Sequence, residues 1–198
     1  KNNDRGRREN WWRFGRNGAD MRVATQHLAR LIITPRVAKH RLFVWLSQPV
    51  SPDSRLFVIA RADDTTFGIL SSRVHELWSL AQASIHGDGS DGGRPTYNAK
   101  SCFETFPFPA GLTPADTAHQ RTEALEGGAL IPADLPDTLL AENFKQNQPP
   151  APVHQAQAAI KTIAPRSAAI AIAQAAQRLN TLRQAWLNPP EWTHTVPE

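Results

Sequence analysis

Residues 31–70 read LIITPRVAKHRLFVWLSQPVSPDSRLFVIARADDTTFGIL, and the fold turns on how this stretch divides. Leu31-Ile32-Ile33-Thr34 is β-branched and stops at Pro35, whose ring disfavours a helix before it, so the segment reads as a strand. Arg41–Leu46 predicts a second strand, Pro49, Pro52 and Asp53 a turn, and Arg55–Arg61 a third strand. Asp63-Asp64 predicts another turn and Thr66–Leu70 a fourth strand. Four short strands this close together predict a small antiparallel or mixed sheet, not βαβ units. With helices packed on it, the fold class is α+β.

Working outward, Ser71-Ser72 offers N-caps for a helix with Val74, Leu77, Trp78 and Ala81 on one apolar face. Trp45 and Trp78 are expected in the core. Upstream, Met21–Leu31 reads as a helix, and residues 1–10 as a polar, disordered end. Downstream, Cys102–Pro109 (CFETFPFP) predicts a last strand. Residues 111–165 are rich in Ala, Pro and Gln and read as a low-complexity linker or insertion, stiffest at Gln148–Pro152. Residues 166–198 then hold a helix over Arg166–Leu187 and the start of a further segment. Its predicted apolar stripe is Ile172, Ala175, Leu179, Leu182 and Trp186, facing a neighbouring domain. Residues 11–110 form the principal domain, and the chain reads as a piece of a larger protein.

Composition narrows the function. The 198 residues are 40% hydrophobic and 20% charged, which excludes wholesale disorder. A single Cys102 excludes a disulfide framework and a multi-cysteine metal site. No apolar run approaches the ~18 residues that span a bilayer, so no membrane partner is expected. The net charge of +4 is uneven: residues 1–110 carry +6 and residues 111–198 carry −2. A basic first half suits a polyanionic partner.

Several motifs fail their context. Gly87–Gly92 fits G-x-G-x-x-G, but a dinucleotide fingerprint must follow a strand and open a helix, and this run leads into Arg94-Pro95. Counted as a calcium loop from Asp88, position twelve is Ala99 and not the required glutamate. Asn188-Pro189-Pro190-Glu191 echoes the Asn/Asp-Pro-Pro-aromatic motif of adenine methyltransferases but lacks the aromatic residue. The histidines show no metal spacing, and His75 reads as structural. The densest basic patch is residues 34–41, TPRVAKHR, where Arg36, Lys39 and Arg41 could meet phosphates.

The phrases TPRVAKHRLFVWL, PDSRLFVIARADD, FGILSSRVHELWSL, YNAKSCFETFPFP and LRQAWLNPPEW occur in that order. Together they resemble the target recognition domain of MmeI-like DNA methyltransferases, across Trp11–Pro109 and again across Ala168–Trp192. The resemblance implies adenine-N6 methylation with S-adenosylmethionine by a bacterial, cytoplasmic, nucleoid-associated protein, alone or within a restriction-modification enzyme. It also implies that cofactor and catalytic motifs lie upstream, so this piece would bind double-stranded DNA, hold no cofactor and perform no chemistry alone. Its partner in the same polypeptide would be the methyltransferase domain.

By that analogy, base-reading side chains come from the turn at Lys39-His40, the turn at Asp53-Ser54 and the segment His86–Lys100. The DNA-contacting set is then Arg36, Lys39, His40, Arg41, Asp53, Ser54, Arg73, His86, Asp88, Ser90, Arg94, Tyr97, Asn98 and Lys100. Two rival readings stand beside it: a non-enzymatic specificity subunit serving a separate methyltransferase chain, which would use the same surface, and a protein-binding scaffold.

Overall fold

The computed structural model describes residues 5–9, 18–87, 92–137 and 163–192. It is an α+β fold. Helices α1 (Arg5–Glu9) and α2 (Ala19–Thr25) precede strands β1 (Arg30–Pro35), β2 (Val44–Ser47) and β3 (Leu56–Ile59). These strands form one antiparallel sheet in the order β2-β1-β3, with Ile32 opposite both Trp45 and Ile59. β1 is central, and Leu31 to Thr34 are all buried, as suits a short apolar run covered on both faces.

Two helices follow: α3 (Asp64–Ser71) and α4 (Arg73–Gln82). Strands β4 (Ser84–His86) and β5 (Arg94–Thr96) make a hairpin, and Ala99–Phe103 coils into one π-helical turn. A second hairpin joins β6 (Thr122–Ala124) to β7 (Leu130–Pro132), and the long helix α5 (Pro165–Leu187) completes the order.

The expected fourth strand at Thr66–Leu70 is helix α3. Asp63, expected as a turn, is its N-cap: Asp63 Oδ1 accepts the Thr66 amide at 2.6 Å and Oδ2 accepts the Thr66 hydroxyl at 3.0 Å. The segment FGIL is buried on nearly every side, and a short apolar run does not by itself distinguish a central helix from a core strand. Phe67 and Leu70 enter a cluster with Ile32, Phe43, Ile59 and Tyr97 on the sheet side. Ile69 enters a second cluster with Phe106, Leu112, Ala129, Ile131, Leu135, Ala169 and Ala173. Each fully buried Leu, Ile or Phe side chain contributes about 1.5–3 kcal/mol, so α3 is the hinge of both cores. Likewise Cys102–Pro109 is not a strand. It leaves the π turn and places Phe106 and Phe108 edge to face at 5.0 Å between the clusters.

Residues 111–137, expected within the linker, are packed. Leu112, Ile131 and Leu135 are buried, and Asp64 accepts the Leu130 amide at 2.8 Å while pairing with Arg30 Nη2 at 2.9 Å. The Gln148–Pro152 linker, the polar residues 1–4 and the opening Trp11, Trp12 and Phe14 lie outside the described residues.

Within the chain α5 packs on α3 and β7, by a different stripe from the expected one. Pro165, Ala169, Ala173 and Ala176 are its buried residues, whereas Leu182 and Trp186 are exposed. The small stripe lets α5 approach α3 closely: a Cβ on Gly68 would lie 2.6 Å from Ile172 Cγ2 and 3.0 Å from the Ile172 carbonyl oxygen. Thr65 Oγ1 donates to the Ala169 carbonyl across the same contact at 3.1 Å.

α4 is also turned relative to expectation. His75 and Ser79 face inward, Trp78 is half-buried beside Phe106, and Val74 and Leu77 face solvent. Trp45 stacks on Phe67 with ring centroids 4.7 Å apart, and Arg30 covers its ring at 3.8 Å. No helix among the described residues is long and apolar enough to cross a membrane.

Candidate nucleic-acid interface

The three segments expected to read bases meet at the end of the sheet where β1 finishes and β3 begins. The Arg36 amide donates to the Arg55 carbonyl at 2.8 Å, and the Arg36 carbonyl accepts the Tyr97 amide at 2.7 Å. Val37 bridges to Thr96, and the Ala38 amide donates to the Pro95 carbonyl at 3.3 Å. Chain beyond β1 is thus flanked on one side by the turn before β3 and on the other by β5.

This end is rich in exposed cations. Arg36, Lys39, His40, Arg55 and Arg94 are exposed, with His86 opposite Arg94 across the hairpin. Arg36 and Arg22 share a concavity of about 770 Å³ with Ser51–Ser54. Asp53 and Ser54 are exposed there, and the Asp53 carboxylate accepts the Arg55 amide, which fixes the turn. Asn98 is exposed but donates to Ser84 Oγ at 3.2 Å, and Lys100 is exposed on the π turn. Arg73 lies on the first turn of α4, where Glu76 pairs with it at 2.7 Å and offsets its charge. Asp88 and Ser90 lie outside the described residues. Arg55 was not singled out from sequence, because it reads as an ordinary strand end until the fold sets it beside Arg36.

Two expected DNA contacts belong to the interior instead. Arg41 is only 8% exposed. Its guanidinium donates to Thr34 Oγ1 at 3.0 Å and to the carbonyls of Pro35 and Pro95, and it lies 5.0 Å from the Tyr97 ring centroid. Burial pulls its pKa down, opposed by Tyr97 and Cys102. Three of its five N–H donors are turned onto these oxygens, and burial withdraws the guanidinium from the surface that a phosphate would reach. Tyr97 is 2% exposed, and its ring meets Phe43 and Phe57 edge to face. It cannot touch a base edge without unpacking the core.

Arg41 and Tyr97 hold the interface from beneath, together with His75. His75 Nδ1 lies 3.0 Å from the Leu70 carbonyl, which can only accept, so Nδ1 carries the proton. Nε2 is then an acceptor and takes the Tyr97 hydroxyl at 3.2 Å. The relay ties the end of α3, through the start of α4, to Tyr97 just past the end of β5.

Burial drops the His75 pKa to about 4, with the Leu70 carbonyl opposing and Arg41 adding to the drop, and burial raises that of Tyr97. Below about pH 6.5 the unfolded chain therefore accepts a proton that the folded chain refuses. Stability should fall as pH drops from about 6.5 toward 4, by about 3 kcal/mol from this group, and no further below. Chemical denaturation of the unaltered chain and of His75→Phe between pH 7 and 4 measures this. The variant should lose that part of the slope, and equal slopes would contradict a neutral buried imidazole.

Gly87 follows β4 and Gly92-Gly93 precede β5, so the glycine run connects two antiparallel strands and does not lead from a strand into a helix. Gly93 has φ of 76°, and a Cβ there would lie 2.6 Å from the Gly87 carbonyl oxygen, so glycine is required by the turn itself. Among the described residues no group of His, Cys, Asp and Glu is arranged to hold a metal ion. Cys102 is buried, its thiol 3.6 Å from the Ser79 carbonyl. Compared with protein-family models, curated proteins and solved structures, the chain matches none.

Proposed function

We propose that this chain is the DNA sequence-recognition part of an S-adenosylmethionine-dependent adenine-N6 DNA methyltransferase, alone or within a restriction-modification enzyme. The observation that supports it is the meeting of three loop segments at one sheet end, crowded with Arg36, Lys39, His40, Arg55 and Arg94. In this reading the end enters the major groove. Arg36 and Arg55 hold phosphates and fix register, while Lys39, His40, Ser54 and Arg94 meet base edges. The cofactor belongs to the methyltransferase domain of the same polypeptide, which would take the target adenine out of the stack. The chain's own glycine-rich run connects two strands, β4 and β5, and not a strand to a helix as the loop of a nucleotide cofactor does.

Duplex DNA binding by the purified chain should weaken linearly in log–log terms with salt, with a slope of about −0.9 per phosphate contact. Arg36→Ala and Arg55→Ala should each remove about one contact's worth of slope without changing the melting temperature. Arg41→Ala should do the reverse, lowering stability first, since it strips a buried donor from three oxygens. An affinity that ignores salt, or Arg36 and Arg55 variants that bind as the unaltered chain does, would overturn the proposal.

A further inference from the structure

A second cavity, of about 290 Å³, runs along the outer edge of β3. Phe57, Phe103 and Phe108 line it, the last two meeting edge to face at 5.4 Å. Arg61 closes one part, immobilised because its guanidinium donates to the carbonyls of Ala60 at 2.9 Å and Pro114 at 3.0 Å.

The strand beside this cavity has a legible phase. Because Arg36 donates to Arg55, the hydrogen-bonded pairs with β1 are those of Arg55, Phe57 and Ile59. Val58, opposite Ile33, occupies the alternate position, so its N–H and C=O turn away from β1. Neither group has a hydrogen-bond partner among the described residues. A donor and an acceptor with no partner among the described residues therefore stand side by side next to aromatic walls, in a cavity at the small end of the ligand-pocket range, ~300 Å³ and upward.

We propose that this cavity binds a nucleobase, its ring against the phenyl walls and its polar edge on the Val58 backbone. A purely aliphatic guest would leave both Val58 groups unsatisfied and gain nothing from ring–ring contact. A base supplies a flat ring and adjacent donor and acceptor atoms together. Val58 also borders the basic concavity that holds Arg36, so a base could arrive as a free nucleotide or as one extruded from DNA held there. The second source rests on the DNA-recognition reading, whereas the pocket does not.

The test is amide-resolved NMR titration of the full chain with adenosine and thymidine monophosphates. Alongside it, duplex DNA carrying 2-aminopurine opposite an abasic site is followed by fluorescence. Saturable shifts at Val58, Ala60 and Phe103 are expected, and Ala99→Phe, which fills the cavity, should weaken nucleotide binding at least tenfold. If Ala99→Phe proves misfolded, Phe108→Leu, which removes one wall ring and keeps its bulk, takes its place. Quenching of 2-aminopurine that Ala99→Phe abolishes identifies an extruded base, while nucleotide shifts without quenching identify a free one. Absence of nucleotide binding overturns the proposal. So do shifts confined to Arg36 and its neighbours, or protection of Val58 by an extended peptide but not by nucleotides. Salt-dependent duplex binding, measured separately, can stand or fall independently of all these outcomes.

Discussion

His75→Ala should melt about 10 °C or more below the unaltered chain. The imidazole is fully buried, with its centroid 5.3 Å from Phe43, 4.7 Å from Phe106 and 5.9 Å from Tyr97. Truncation leaves a cavity among these rings. It also leaves the Leu70 carbonyl and the Tyr97 hydroxyl without partners. An orphaned buried group costs about 1–3 kcal/mol, and truncation of a large core side chain costs about 3–5 kcal/mol. For a chain of this size each kcal/mol shifts the melting temperature by roughly 2–4 °C. His75→Phe should cost less, since it fills the space and orphans the same two groups. Tyr97→Phe should cost little once His75 is already gone, which a double-mutant cycle by thermal unfolding would show. If His75→Ala melts with the unaltered chain, or the two changes simply add, the relay does not brace the fold.

Gly68→Leu should separate α3 from α5 and abolish cooperative unfolding, and Gly68→Ala should lower the melting temperature by several degrees. The sign of the smaller change is informative. In an exposed helix, Ala is more favourable than Gly by roughly 0.5–1 kcal/mol. Here the added Cβ would meet the Ile172 methyl at 2.6 Å, and it would meet Ala176 Cβ and the Ile172 carbonyl at 3.0 Å. The methyl can rotate away, but the carbonyl is part of α5 and cannot. Overpacking of this kind costs about 1–3 kcal/mol, which outweighs the propensity gain. Ile172→Val should rescue little, because the backbone contact remains. A Gly68→Ala chain that melts higher than the unaltered one would show that the two helices are not in close contact.

Some of this fold was legible in the sequence because it depends on neighbours along the chain. The β-branched run ending at Pro35 marked β1. The serines before Arg73 marked α4, where Ser72 Oγ accepts the His75 amide at 3.2 Å. The apolar residues at helical spacing from Ile172 to Trp186 marked α5, though not its buried face. The basic character of residues 34–41 and the loops on either side were visible as composition.

Which side of each element lies inside was decided elsewhere. α4 turns His75 and Ser79 inward because Leu70 and Tyr97 offer His75 polar partners, and no hydrophobic count registers that preference. α5 buries alanines in place of leucines because Gly68 lets a backbone come close, through a contact spanning 104 positions of sequence. TTFGIL is a helix because α5 and the β6–β7 hairpin enclose it, although its apolar run suits a strand equally well. Arg41 and Tyr97 are exchangeable with surface residues in a composition count. Only the crossing of β5 past the end of β1 withdraws them from solvent and leaves Arg36, Arg55 and Arg94 outside. Periodicity along a chain reports local geometry, whereas burial is set by what the rest of the chain brings against each face.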